Sequence, residues 1–198
     1  MQLGKFIDLN NAFTVHILKN PLLFSNAILT AFNIPCSPCS FRRYSSETVD
    51  TSRHYTGKGV ATYPNGDVYD GYFKEGLRHG EVGTYTYNKH GTEEVKDTYK
   101  GAWANNDKNG IGVQIYTGVG RYHGYWKDGK RSGEGVMIYE NEDVYSGSWK
   151  EGKKDGNGTY IFKETGMKYV GTFKNGQMVT GKWLYNNGTY FQGAFDNN

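Results

Sequence analysis

Residues 122–139 read Tyr122-His123-Gly124-Tyr125-Trp126-Lys127-Asp128-Gly129-Lys130-Arg131-Ser132-Gly133-Glu134-Gly135-Val136-Met137-Ile138-Tyr139. Tyr122, Gly124 and Trp126 stand at i, i+2 and i+4, so an extended strand points all three to one face. The polar stretch 127–132 reads as a loop, with Gly129 supplying left-handed backbone. Gly133-Glu134-Gly135 then opens a second short strand that ends in Tyr139. The stretch is one antiparallel hairpin, and a lone hairpin is marginal in water.

The phrase does not stand alone. Aromatic-x-Gly-x-aromatic recurs at Tyr69–Phe73, Tyr99–Trp103, Tyr122–Trp126, Tyr145–Trp149, Tyr169–Phe173 and Phe191–Phe195, with central glycines 30, 23, 23, 24 and 22 residues apart. The second phrase returns at Gly110-Ile-Gly112 and Gly156-Asn-Gly158, and a half unit opens at Gly57-Lys-Gly59. Hairpins at a fixed period bury surface by stacking on one another. Mid-strand glycine leaves a hole that a neighbouring ring covers. Tyr69, Phe73, Tyr99, Trp103, Tyr122, Trp126, Tyr145, Trp149, Tyr169 and Phe173 therefore read as the packing seam of the array. Asn65-Gly66 and Asn187-Gly188 are two-residue hairpin signals. The fold implied is all-β: an elongated single-layer antiparallel sheet of stacked hairpins over residues 55–198, about six units with the last incomplete. At ~9.6 Å per two-strand unit the body measures about 55–60 Å.

Two units depart from the pattern. Gly80-Glu81-Val82-Gly83 is one residue longer than Gly-x-Gly, and an insertion follows Gly91, so a bulge and an exposed loop are expected there. Thr180-Gly181-Lys182-Trp183 replaces Gly-x-Gly in the unit from Tyr169, which makes Trp183 a distinctive seam aromatic. The last strand, with Tyr190, Phe191 and Phe195, has no hairpin mate after it. An edge strand templates pairing, so this edge is expected to be covered by a partner or by residues 1–44 folding back.

These phrases resemble the MORN repeat (membrane occupation and recognition nexus), over roughly residues 55–198. Within that family, residues 142–172 are similar to the repeats of radial spoke head proteins, although the leader is unrelated and the long acidic tail of that group is lacking. The resemblance implies a non-enzymatic scaffold that docks proteins of a large multi-subunit assembly, located in the ciliary axoneme or cytoskeleton.

Residues 1–54 form a separate leader. Six of the eight leucines precede residue 30, and Lys5, Lys19, Arg42 and Arg43 face the single acid Asp8 within 1–44. Segments 13–19 and 22–32 read as short helices, giving a partly helical N-terminal arm. Its composition, with Arg42-Arg43-Tyr44 before Ser45-Ser46, matches a mitochondrial presequence. The other reading is an arm that docks on the array or a partner. The first makes the protein an accessory subunit of a mitochondrial complex.

The remaining chemistry is thin. Beyond residue 44 the basic and acidic groups balance, which gives no electrostatic footprint for nucleic acid. Cys36-Ser-Pro-Cys39 lacks the second ligand pair of a structural zinc site. The Gly-x-Gly phrases follow the repeat period and continue into no phosphate loop. No catalytic residue, cofactor site or metal site is marked. Arg78, Lys108, Lys130, Arg131, Lys153 and Lys154 form an expected basic ridge on the loop edge. It would attract anionic lipid at ~1 kcal/mol per charge, but the acids Glu75, Asp107, Asp128, Glu151 and Asp155 share those loops and weaken the field. A phosphoinositide-binding adaptor is accordingly the lesser alternative.

Overall fold

A computed structural model describes residues 40–43, 52–88 and 97–195. It contains thirteen strands: β1 (Ser40–Arg43), β2 (Gly57–Thr62), β3 (Val68–Lys74), β4 (Leu77–Thr86), β5 (Thr98–Ala104), β6 (Asp107–Tyr116) and β7 (Gly120–Lys127), then β8 (Lys130–Tyr139), β9 (Val144–Lys150), β10 (Lys153–Ile161), β11 (Lys168–Lys174), β12 (Gln177–Leu184) and β13 (Tyr190–Ala194). Every strand pairs antiparallel with its neighbour in sequence, so the order across the sheet is the order along the chain. The described part is thus all-β, one open layer. The helices expected at 13–19 and 22–32, and the insertion after Gly91 through residue 96, lie outside the described residues.

Two kinds of turn alternate. In β7–β8 the turn is Asp128-Gly129 alone, with φ of 49° and 75°. Two consecutive positive φ values give a type I′ turn, whose twist matches that of the flanking strands. Glu75-Gly76, Asn105-Asn106, Glu151-Gly152 and Asn175-Gly176 repeat the geometry. This corrects the reading of 127–132 as a loop, because Lys130, Arg131 and Ser132 already belong to β8. The turns between units are longer. At Asn65-Gly66 and Asn187-Gly188 only the glycine has positive φ, and Gly66 and Gly188 donate to the carbonyls of Tyr63 and Tyr185.

The pairing aligns the glycines into a ladder across the sheet. Gly59 lies opposite Gly71, Gly83 opposite Gly101, and Gly112 opposite both Gly101 and Gly124. Gly135, Gly147, Gly158, Gly171, Gly181 and Gly193 continue the row. Each hairpin from β3–β4 to β11–β12 also carries a register shift beside this ladder. Gly80-Glu81-Val82-Gly83 adds a further bulge between β4 and β5, where the equivalent pairings β6–β7, β8–β9 and β10–β11 run in continuous register. The extra residue in that phrase has nowhere else to go.

On one face the tyrosines lie over the glycine ladder. The Tyr69, Tyr99, Tyr122, Tyr145 and Tyr169 side chains are fully buried, at 0 % exposure. Their hydroxyls donate to the carbonyls three residues on, from 2.9 Å at Ala102 and Ser148 to 3.1 Å at Tyr72 and Thr172. Between them stand Trp103, Trp126, Trp149 and Phe173. Each meets the tyrosine of its own unit and that of the preceding unit edge-on, as Trp126 does with Tyr122 and Tyr99 at 5.3 Å. Edge-to-face rings exploit the aromatic quadrupole. Phe73 begins this zipper and Phe195 ends it against Tyr169.

Candidate docking face

The type I′ turns decide what shares the aromatic face. Because each turn has two residues, the second residue of the following strand falls opposite the seam ring. Arg78 pairs with Phe73, Lys108 with Trp103, Arg131 with Trp126, Lys154 with Trp149 and Met178 with Phe173. Four cations therefore cross the face at the repeat period, and methionine takes the fifth place.

Arg78, Lys108 and Arg131 each lean over the tryptophan of the next unit. Arg78 lies 4.7 Å from the Trp103 ring centre, Lys108 4.6 Å from Trp126 and Arg131 4.4 Å from Trp149. Lys154 sits 4.7 Å over Tyr160 and 5.7 Å over Phe173. Such contacts attract the cation to the ring face. The backbone reinforces the placement. Asn106, Gly129, Gly152 and Gly176, at the turn of each following unit, donate to the carbonyls of Arg78, Lys108, Arg131 and Lys154 at 2.8–3.0 Å. The guanidinium groups return the grip, with Arg78 Nη2 donating to Asn106 O at 2.8 Å and Arg131 Nη2 to Gly152 O at 2.7 Å. Lys108 Nζ donates to Gln114 Oε1 at 2.5 Å.

Electrostatically the row is uncompensated. Among the described residues none of these four cations forms an ion pair with a carboxylate. Lys130 pairs with Glu151 and Lys163 with Glu142 at exposed positions instead. Burial pushes the Lys108 ammonium down to about 8, with Arg78 and Arg131 adding repulsion and Asp97 partly opposing. Burial, then Arg131, also lowers Lys154. Arg78 Nε is buried without a hydrogen-bond partner. These shifts record ammonium groups that are half-buried first and beside like charges second, with no carboxylate in ion-pair contact.

The expected basic ridge is thereby divided. Arg78, Lys108, Arg131 and Lys154 belong to the ring face, while Lys130 and Lys153 begin their strands as exposed residues. The place of these four on the ring face, and not on the loop edge, was not anticipated, although its signal stands in the sequence: Arg or Lys two residues before Gly80, Gly110, Gly133 and Gly156. The ten seam aromatics from Tyr69 to Phe173 are all buried on this face. Trp183 lies on it half-buried, stacked on Phe162 at 5.2 Å and edge-on to Tyr169 at 5.6 Å. It holds the position that Tyr160 has in the preceding unit, since both lie opposite Tyr169.

At the far edge Tyr190 and Phe191 are 60 % and 53 % exposed, and Phe195 packs against Tyr169 and Trp183. Among the described residues β13 pairs only with β12. Residues 40–43 of the leader pair with β2, at the opposite end of the sheet from Tyr190.

No curated protein matches the chain. The MORN repeat model matches six times, at residues 55–68, 69–92, 99–118, 122–144, 145–166 and 169–190. These matches cover more than half of the sequence, and the chain belongs to the MORN-repeat family.

Proposed function

We propose that the protein is a non-enzymatic scaffold that docks other proteins through the ring face of its repeat array. The observation that carries this reading is the row Arg78, Lys108, Arg131 and Lys154. A face built only for stability gains little from half-buried cations without counter-ions, whereas a docking face uses them for partner choice and encounter rate. The repeats themselves form a non-catalytic module. The test replaces Lys108 and Arg131 by Met, the residue that position 178 carries naturally. The variants are expected to keep the wild-type circular dichroism and lose co-sedimentation with the native assembly. Undiminished co-sedimentation of the double variant overturns the reading.

Within that function, the likeness of residues 142–172 to radial spoke head repeats favours a place in the ciliary axoneme. The basic leader favours the second reading, an accessory subunit of a mitochondrial complex. A fluorescent tag at the C-terminus separates axonemal from mitochondrial signal, and a mature chain starting at Ser45 establishes import. A phosphoinositide adaptor is the third reading, weakened by the exposed Lys130–Glu151 pair in the very turns that would meet a membrane.

A further inference from the structure

We propose that the ring face receives an acidic polypeptide in the polyproline-II conformation, with a carboxylate at every third residue set against Arg78, Lys108, Arg131 and Lys154. The proposal rests on the docking reading above and names the partner's chemistry.

The argument is one of matching periods. Successive cations stand two strands apart, a repeat of ~9.6 Å. Polyproline II has three residues per turn and a rise of ~3.1 Å, so every third side chain returns to one side after ~9.3 Å. Over the three intervals from Arg78 to Lys154 the mismatch accumulates to only ~0.9 Å. A β-strand fails, because its third residue points to the opposite side. An α-helix returns to the same side after seven residues, ~10.5 Å, with ~20° of drift, and accumulates ~2.7 Å. A single phosphorylated headgroup meets one cation of a row that spans ~29 Å.

The surroundings suit the residues between the carboxylates. Half-buried Tyr87, Tyr116 and Tyr139 flank Lys108, Arg131 and Lys154 at 5.2, 6.0 and 5.7 Å. Aromatic-lined surfaces take proline rings, and a preformed polyproline-II ligand loses little entropy on docking. An opposing carboxylate also supplies the direct ion pair that the half-buried Lys108 ammonium lacks among the described residues. Met178 marks where the register of charge stops.

The experiment uses the full chain and a fluorescent peptide, acetyl-(Glu-Pro-Pro)4-amide, read by anisotropy. Saturable 1:1 binding that weakens with salt is expected. Lys108→Met and Arg131→Met should each weaken it about 3- to 5-fold, the effect of losing ~0.7–1 kcal/mol of one ion pair. Met178→Lys should strengthen binding of (Glu-Pro-Pro)5 by a similar factor and leave (Glu-Pro-Pro)4 unchanged. Binding at pH 8 should take up protons in the wild type and fewer in Lys108→Met. The control (Glu-Pro)4 has the same charge at a period of two and should bind at least tenfold more weakly. Equal binding of that control, or Met variants that bind as the wild type does, overturns the proposal. So does binding to phosphoinositide vesicles without binding to the peptide. If the peptide fails while the Lys108→Met, Arg131→Met double variant still leaves the native assembly, the docking reading survives and this one falls. If the double variant also stays in the assembly, both fall.

Discussion

Gly112→Ala adds one methyl group and should cost about as much as deleting a core aromatic. The backbone at Gly112 has no positive φ, so alanine's conformational preference is not the obstacle. Space is: an added Cβ would stand 2.4 Å from Tyr99 Oη, 2.5 Å from Cε2 and 2.6 Å from Cζ. The ring cannot slide away. Its hydroxyl donates to Ala102 O at 2.9 Å, and Trp103 and Trp126 hold it at 5.2 and 5.3 Å. Tyr99 must leave its site, which places the cost at ~3–5 kcal/mol, a large share of a domain's usual ~5–15 kcal/mol. Urea unfolding followed by tryptophan fluorescence and near-ultraviolet circular dichroism measures it. Gly152→Ala is the matched control, with open space around the Cβ and φ of +80°, and should cost ~1 kcal/mol from backbone strain alone. In a Tyr99→Ala background the Gly112→Ala cost should fall below ~1 kcal/mol, because the ring it displaces is gone. A Gly112→Ala protein as stable as wild type, or the same cost with and without the ring, refutes the ladder as the seat of the tyrosines.

Trp149→Ala should destabilise by ~3–5 kcal/mol and fray β9 and β10 in hydrogen exchange before the array melts elsewhere; wild-type melting would make the seam rings a binding surface instead. Stability should rise from pH 8 toward 10, because burial lowers Lys108 from its ordinary 10.5 to about 8 and the unfolded chain binds the extra proton in that window. Above pH 10 it should fall again, since burial raises Tyr99, Tyr122 and Tyr145 and their unfolded counterparts ionise first. Lys108→Met should reduce the rise measured by urea titration at each pH, and an unchanged rise would show that other groups cause it. Amides of 190–195 should exchange slowly in the native assembly and fast in the isolated chain; fast exchange in both shows an uncovered edge.

The strands and seam were legible because Tyr122, Gly124 and Trp126 encode face and period together. The ring expected over each mid-strand glycine is present, and the pairing identifies it. One tyrosine serves two gaps, since Tyr69 lies over Gly71 on its own strand and over Gly83 on the facing one. The face on which the cation row lies was hidden by turn chemistry. Asp-Gly-Lys-Arg-Ser is polar throughout and reads as a loop until positive φ at Asp128 and Gly129 closes the hairpin in two residues. Only then does Arg131 fall on the ring face. Strand β1 was beyond reach for another reason. Ser40-Phe-Arg-Arg43 has no alternating pattern of its own, and its place depends on pairing with Gly59–Thr62 across the leader boundary.

A sheet whose strand order is its chain order has its ends at opposite extremes, and that determines how it bears tension. Force between the ends acts across the strands. The hydrogen bonds between terminal strands then open one after another, as a zipper does, instead of shearing together. A unit of 23 residues, such as 122–144, would lengthen from ~9.6 Å folded to ~80 Å extended. The array can therefore yield hairpin by hairpin under low load and re-form locally when the load drops. A component placed between moving neighbours gains from this a graded, recoverable extension.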